Sequence, residues 1–140
     1  VLKPTDQKVK QTMQAIEQNL WIKTEIGGIA RYENDGYMRV SEELPGNPWI
    51  ICTLWLANYH IAIASSPDEL KRAGKLIDLV TNWALPSGVL SEQINPLDGS
   101  QISVAPLTWS HAEFITTITK YVEKSRELVA TFGEEVLSGK

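Results

Sequence analysis

Asn47-Pro48-Trp49-Ile50-Ile51-Cys52-Thr53-Leu54-Trp55-Leu56-Ala57-Asn58-Tyr59-His60-Ile61-Ala62-Ile63-Ala64 is the stretch on which the fold turns. Asparagine followed by proline is a helix-start signal: the amide side chain can cap free N–H groups, and proline fits the first helical position. From Trp49 to Ala64 there is no Lys, Arg, Asp or Glu, and apolar residues fall on nearly every side of the helical wheel. Such a helix is expected to be enclosed all round. It is too short to cross a membrane, and Thr53, Asn58 and His60 interrupt it.

The neighbouring helices read differently. Pro4-Thr5-Asp6 opens a first helix with Thr5 or Asp6 as N-cap. Val9, Met13, Ile16 and Leu20 then form one narrow apolar stripe, with Lys8, Lys10, Gln11, Gln14 and Glu17 facing away. After the inner helix, Ser66-Pro67-Asp68-Glu69 combines a capping serine, a first-turn proline and a capping-box glutamate. The third helix puts Leu70, Ala73, Ile77, Val80 and Ala84 on one face and Lys71, Arg72, Lys75 and Asp78 outside, and Pro86 ends it. Both are outer helices. A last helix starts with Thr108 or Ser110 as cap, and its apolar positions are Ala112, Ile115, Ile118, Tyr121 or Val122, Val129 and Phe132.

Two long segments have no helical period. Glu25 to Gly46 holds Gly27, Gly28, Gly36 and Pro45 around a charged Glu33-Asn34-Asp35-Gly36 turn. Unstructured connections of about 20 residues are uncommon in compact domains, and Tyr32, Tyr37, Met38 and Val40 argue for an ordered, functional loop. Pro86 to Leu107 is the second, with Asn95-Pro96-Leu97-Asp98-Gly99 as a tight turn between extended runs at Val89 to Ile94 and Gln101 to Val104.

The arrangement is thus repeated: outer helix, long loop, inner helix led by tryptophan, with Trp49 and Trp109 in matching places. Successive helices joined this way run antiparallel, so both long loops emerge at one end and the short Ser65-Ser66 connection at the other. The expected class is all-α, built of antiparallel helical hairpins in the manner of a double-layered α/α toroid. Four helices cannot close such a ring. Either another part of the protein or further copies of the chain must complete it.

Composition narrows the functions. The 140 residues carry a net charge of −4 with no Lys/Arg cluster, which excludes a nucleic-acid footprint. Among five tryptophans, Trp21, Trp55 and Trp83 are expected to fill the core. Cys52 lies in an apolar run away from any basic neighbour in sequence and reads as a buried, inert thiol. His60 and His111 lack ligand spacing, so neither a metal nor another cofactor is called for. The chain shows no targeting segment, and it opens at Val1 without an initiating Met, as a piece of something longer would.

At particular motifs the chain resembles the glucoamylase-type inverting glycoside hydrolases, family fifteen. The motifs are Gly28-Ile29-Ala30-Arg31-Tyr32, Gly46-Asn47-Pro48-Trp49, Cys52-Thr53-Leu54, Leu90-Ser91-Glu92-Gln93 and Leu107-Thr108-Trp109-Ser110-His111-Ala112. Each is weak alone; their order and spacing over residues 27 to about 125 carry the resemblance. It implies that residues 1–140 form the C-terminal third of a catalytic (α/α)6 barrel, helices nine to twelve.

The resemblance also implies that Glu92 is the general base. In inversion, one carboxylate activates water opposite the departing sugar while a second carboxylic acid protonates the leaving oxygen, the two about 6.5–9.5 Å apart. A guanidinium nearby, such as Arg31, favours the ionised base. Arg31 is implied to bind hydroxyls of the terminal glucose, Trp109 to wall the cleft, and Tyr32 and Asp35 to stand beside the site as further substrate-binding residues. Trp49 is expected to pack the helix entrance. An ion pair of Arg31 with Glu33 or Asp35 is the structural alternative. The family's general acid lies upstream and has no counterpart here, so the isolated chain is expected to be inactive. Glu33-Asn34 replaces the Pro-Glu of fungal relatives, leaving the linkage open.

The expected ligand is therefore an α-glucan or glucoside, and the expected partner the rest of the barrel or a further copy of the chain. A non-catalytic helical module that binds sugar or oligomerises is the rival reading, and an unrelated four-helix bundle the third.

Overall fold

A computed structural model describes residues 2–138, with side chains described through Thr131. Four helices and one small hairpin make up the chain: α1 Gln7–Leu20, α2 Ile50–Ile63, α3 Pro67–Trp83, β1 Gln93–Ile94, β2 Gln101–Ile102 and α4 Thr108–Ser138. The class is all-α, as expected.

The helix starts follow local chemistry. Asp6 caps α1 by accepting from Lys8 N at 2.8 Å, and Ser66 caps α3 by accepting from Glu69 N at 3.2 Å. Glu69 reaches back to the Ser65 N–H at 2.8 Å, a capping box displaced by one residue. The start of α2 corrects the sequence reading. The helix begins at Ile50, and Trp49 is its N-cap without any side-chain cap bond. Asn47 is buried and serves the preceding loop instead: its amide oxygen accepts from Val40 N at 3.1 Å, and its amide nitrogen donates to Met38 O at 2.8 Å and Gln93 Oε1 at 2.9 Å.

The core forms where α2 meets α3 and α4. Ile50, Leu54, Val80, Trp83, Leu90 and Ile94 pack at the loop end, and Ile61, Ala64, Leu70, Ala73 and Leu128 at the other. No residue of α1 is fully buried; Met13, Ile16 and Leu20 pack half-buried against α2, as an outer helix should. Asn58 of α2 donates to Glu113 Oε1 at 2.8 Å and Thr117 Oγ1 at 3.0 Å, tying α2 to α4 by partly buried polar groups.

Two expectations about exposure fail for one reason. Along α2, Trp55 and Ala62 are exposed, so the helix is enclosed on all sides but one, and Trp55 is not core. On α4 the face carrying Ala112, Ile115, Val122 and Val129 lies open, while Ser110, Phe114, Thr117, Ile118, Tyr121 and Leu128 pack inward. Phe132 lies outside the described side chains. Periodicity marks which residues are apolar; it cannot show which apolar face finds a partner within these residues.

The connections are ordered and laced together. Trp21 bridges Ile29, Ala30 bridges Pro48, and Trp49 bridges Gln93, which continues into the Gln93–Ile102 pairing of the hairpin. Ile50 N donates to Glu92 O at 3.2 Å, and Thr24 Oγ1 to Pro96 O at 2.8 Å. Both long loops therefore share one end, as the alternation of helices requires. Gly28 makes this possible: its φ is +92°, and a Cβ there would come within 2.6 Å of the Trp83 ring and 2.8 Å of Pro48.

Candidate active site

The first loop presents Arg31 on a fixed base. Its Nε donates to Asp35 Oδ2 at 3.0 Å and its Nη2 to Asp35 Oδ1 at 2.9 Å, a two-point pair. Asp35 is 1% exposed while the Arg31 side chain keeps 37% exposure. Burial alone pushes the Asp35 carboxyl upward, but the hydrogen bonds from Arg31 and Tyr37 N, with the Arg31 charge, hold it below its usual range. The guanidinium also lies 4.2 Å from the Trp49 ring centroid, 4.9 Å from Tyr32 and 5.6 Å from Tyr37. Arg39 closes the rest of the loop by donating to three backbone carbonyls, those of Ser41, Glu42 and Leu44.

The second loop presents Glu92 by different means. Its neighbours are buried: Ser91 and Gln93 have no exposure, and Ser110 donates to Ser91 O at 2.7 Å. Glu92 itself is half-buried. Its Oε2 accepts from Ser103 Oγ at 2.6 Å, and Gln93 Nε2 approaches the same oxygen at 3.5 Å. No protein donor meets Oε1 among the described residues. Ser103 is held at φ +68°, a left-handed conformation costing a side-chain-bearing residue on the order of 1 kcal/mol.

A single chain of contacts joins the two loops. Tyr37 OH lies 3.5 Å from Ser103 Oγ, so Arg31, Tyr37, Ser103 and Glu92 follow one another across the shared end. Exposed Tyr32 and Tyr37 flank Arg31. Trp109, 52% exposed, leans edge-on against Trp55 with ring centroids 5.9 Å apart.

Of the residues singled out in the sequence, Arg31, Tyr32 and Asp35 form one cluster, and Glu92 is reached from it through Tyr37 and Ser103. Asp35 lies behind Arg31, buried and with both oxygens engaged, so the ion pair given as the structural alternative forms. Trp49 is buried at the entrance of α2, where it also floors Arg31. Tyr37 and Ser103 were missed. Tyr37 sits just after the charged turn, and nothing marks Ser103 until the hairpin folds it back toward Glu92. His111 accepts from Leu90 N at 3.1 Å, and Cys52 is buried with its thiol pushed up to about 12 by burial. No group of three or more metal-ligating side chains gathers among the described residues, and none of their helices is long and apolar enough to cross a membrane.

Antiparallel helical hairpins whose long loops gather at one end define a segment of an α/α toroid. The profile described as Glycosyl hydrolases family 15 matches residues 61–119, and the resemblance to that family is borne out. An uncharacterized glycosyl hydrolase of Methanocaldococcus jannaschii is 34% identical across 79% of this chain, and a trehalase of Mycobacterium tuberculosis 27% identical across 90%. The chain spans 18% and 17% of those relatives' lengths, less than a fifth. Among solved structures it is similar to a bacterial glucoamylase complexed with acarbose, at 25% identity and TM-score 0.73 over 87% of this chain and 18% of that one. A Hormoconis resinae glucoamylase shares the fold at 22% identity and TM-score 0.63, over 82% of this chain and 27% of that one.

Proposed function

We propose that this chain is part of an inverting, exo-acting α-glucoside hydrolase, corresponding to helices nine to twelve of its barrel. It carries the general base, Glu92, while the general acid comes from outside these residues. The observation that carries this reading is the asymmetry of the Glu92 carboxylate. One oxygen is pinned by Ser103, and the other meets no donor among the described residues, leaving it for a water to be deprotonated. Arg31, aimed by Asp35 and stacked on Trp49, grips paired hydroxyls of the terminal sugar ring. Tyr32 and Trp109 offer flat walls. Asp35 acts through Arg31 and is a positioning residue.

In the complete protein, Glu92→Gln is expected to lower kcat by at least about a thousandfold while binding of maltose or trehalose persists. Near-normal turnover would defeat the assignment. The isolated chain is expected to hydrolyse neither sugar, since half of the carboxylate pair is absent.

A second reading, a helical module that self-associates, is favoured by the open face of Ile115, Val122 and Val129 and by exposed Trp55. Light scattering separates the two: the hydrolase reading expects the complete protein to bury this face within its own barrel, and the module reading expects the isolated chain to form a defined oligomer that binds sugar unaided.

A further inference from the structure

A groove of about 570 Å³ runs between α1, α3 and the turn from Trp21 to Gly27, on the outer-helix side of the fold. Its size is that of a small-ligand site, roughly 300–1,000 Å³. Trp21, Leu76 and Leu79 form the apolar wall, and exposed Glu25 and Lys75 stand on the rim. At the other end, Glu17 of α1 accepts from exposed Arg72 of α3 at 2.7 Å and pairs with buried His60 of α2 at 2.8 Å. The wall is constructed rather than incidental: Gly27 has φ +67°, and a Cβ there would press to 3.0 Å against the Trp21 ring.

The charge pattern selects the occupant. Both Glu17 oxygens are already engaged, and burial pushes His60 below its ordinary range, so it is neutral at pH 7. The lining then has two carboxylates, Glu17 and Glu25, against two cations, Arg72 and Lys75, which cancel. A ligand of net charge gains little in a groove balanced in this way. Glu25 and Lys75 have no ion-pair partner among the described residues, which leaves one strong acceptor and one strong donor beside an indole. That combination fits a neutral, polyhydroxylated ring whose C–H face lies on Trp21 while its hydroxyls meet the rim.

We propose that this groove is a second carbohydrate site, holding one or two glucose units of an α-glucan away from the Glu92 mouth. The choice of glucose rests on the function proposed above; the groove and its charge balance do not. The test uses the complete protein bearing Glu92→Gln, so that maltotriose survives, and follows maltotriose binding by calorimetry. Two sites are expected. Adding Glu25→Ala with Lys75→Ala should weaken one of them about tenfold and spare the other. Gln18→Arg, which extends a side chain over the groove from α1, should do the same without touching the rim pair. With Glu92 intact, these changes should leave maltose turnover within about twofold. A single maltotriose site, or two sites indifferent to both variants, overturns the proposal. Turnover persisting in Glu92→Gln speaks against the catalytic reading alone, because groove binding is read from the response to the groove variants.

Discussion

The two long loops meet at one end of the helices but are held by opposite means. The Arg31 loop is fixed by charge and amide groups: a two-point Arg31–Asp35 pair over a buried carboxylate, Arg39 spanning three carbonyls, and Asn47 tying Met38 and Val40 to Gln93. The Glu92 loop is fixed by a hairpin of two-residue strands, by small hydroxyls on Ser91, Ser103 and Ser110, and by the Gln101 amide on Trp83 O and Val89 O, with no ion pair among the described residues. The difference suits the proposed division of labour. A group that grips a sugar gains from being held rigidly, since orientation is then settled before binding. A base must keep one oxygen free, and a single hydroxyl on the other orients it without competing for the water.

The sharpest way to break this contrast is to remove the charge that fixes the first loop. Arg31→Leu leaves buried Asp35 with only the Tyr37 N–H, and is expected to cost about 3 kcal/mol of stability in denaturant unfolding, the low end for a broken buried pair because Arg31 is partly exposed. Arg31→Lys should keep the charge but lose the two-point geometry, raising KM more than it lowers kcat. Gly28→Ala attacks the lacing between the loops; its positive φ and the contacts with Trp83 and Pro48 predict a loss of about 3 kcal/mol, seen as a lower Tm. Asn58→Leu tests whether the helices beneath the loops are held separately. It strands Glu113 and Thr117 at about 1–3 kcal/mol, without a selective effect on KM.

In the second loop, Ser103→Ala should lower kcat about tenfold with KM little changed, because it frees the base and leaves the sugar clamp untouched. The smallest effect concerns pH. His60 is held below its ordinary value, chiefly by burial. Its folded form therefore resists protonation, so stability from keeping it neutral is present above about pH 6.5 and is lost as pH falls through the folded value. Asp35, likewise held low, gives up its share only in stronger acid. Thermal melts of His60→Gln should accordingly show a flatter decline than the parent as pH falls below about 6.5.

Much of the fold was legible because local chemistry and tertiary need coincided. Asp6, Ser66 and Pro67 start helices where the sequence says they should, and the outer character of α1 and α3 follows from single apolar stripes. The shared loop end followed from helix alternation alone. Asn47-Pro48 misled because the same amide that could cap a helix found buried loop carbonyl and N–H partners instead. Trp55 and the Ile115–Val122–Val129 face misled because an apolar residue shows only that it needs cover, not where the cover lies. For the candidate site, Arg31, Tyr32 and Glu92 were marked by motif, and Asp35 by the charged turn beside the first of them. Tyr37 and Ser103 were not, since their relation arises only when a hairpin and a distant loop close on each other.

The most direct measurement is a crystal structure of the complete protein with acarbose, the compound held by the similar bacterial glucoamylase. A sugar ring is expected between the Arg31 guanidinium and the Glu92 carboxylate, with Oε1 facing a water on the ring's open side. Acarbose bound with Arg31 and Glu92 both out of hydrogen-bond reach of it and of that water would contradict this expectation.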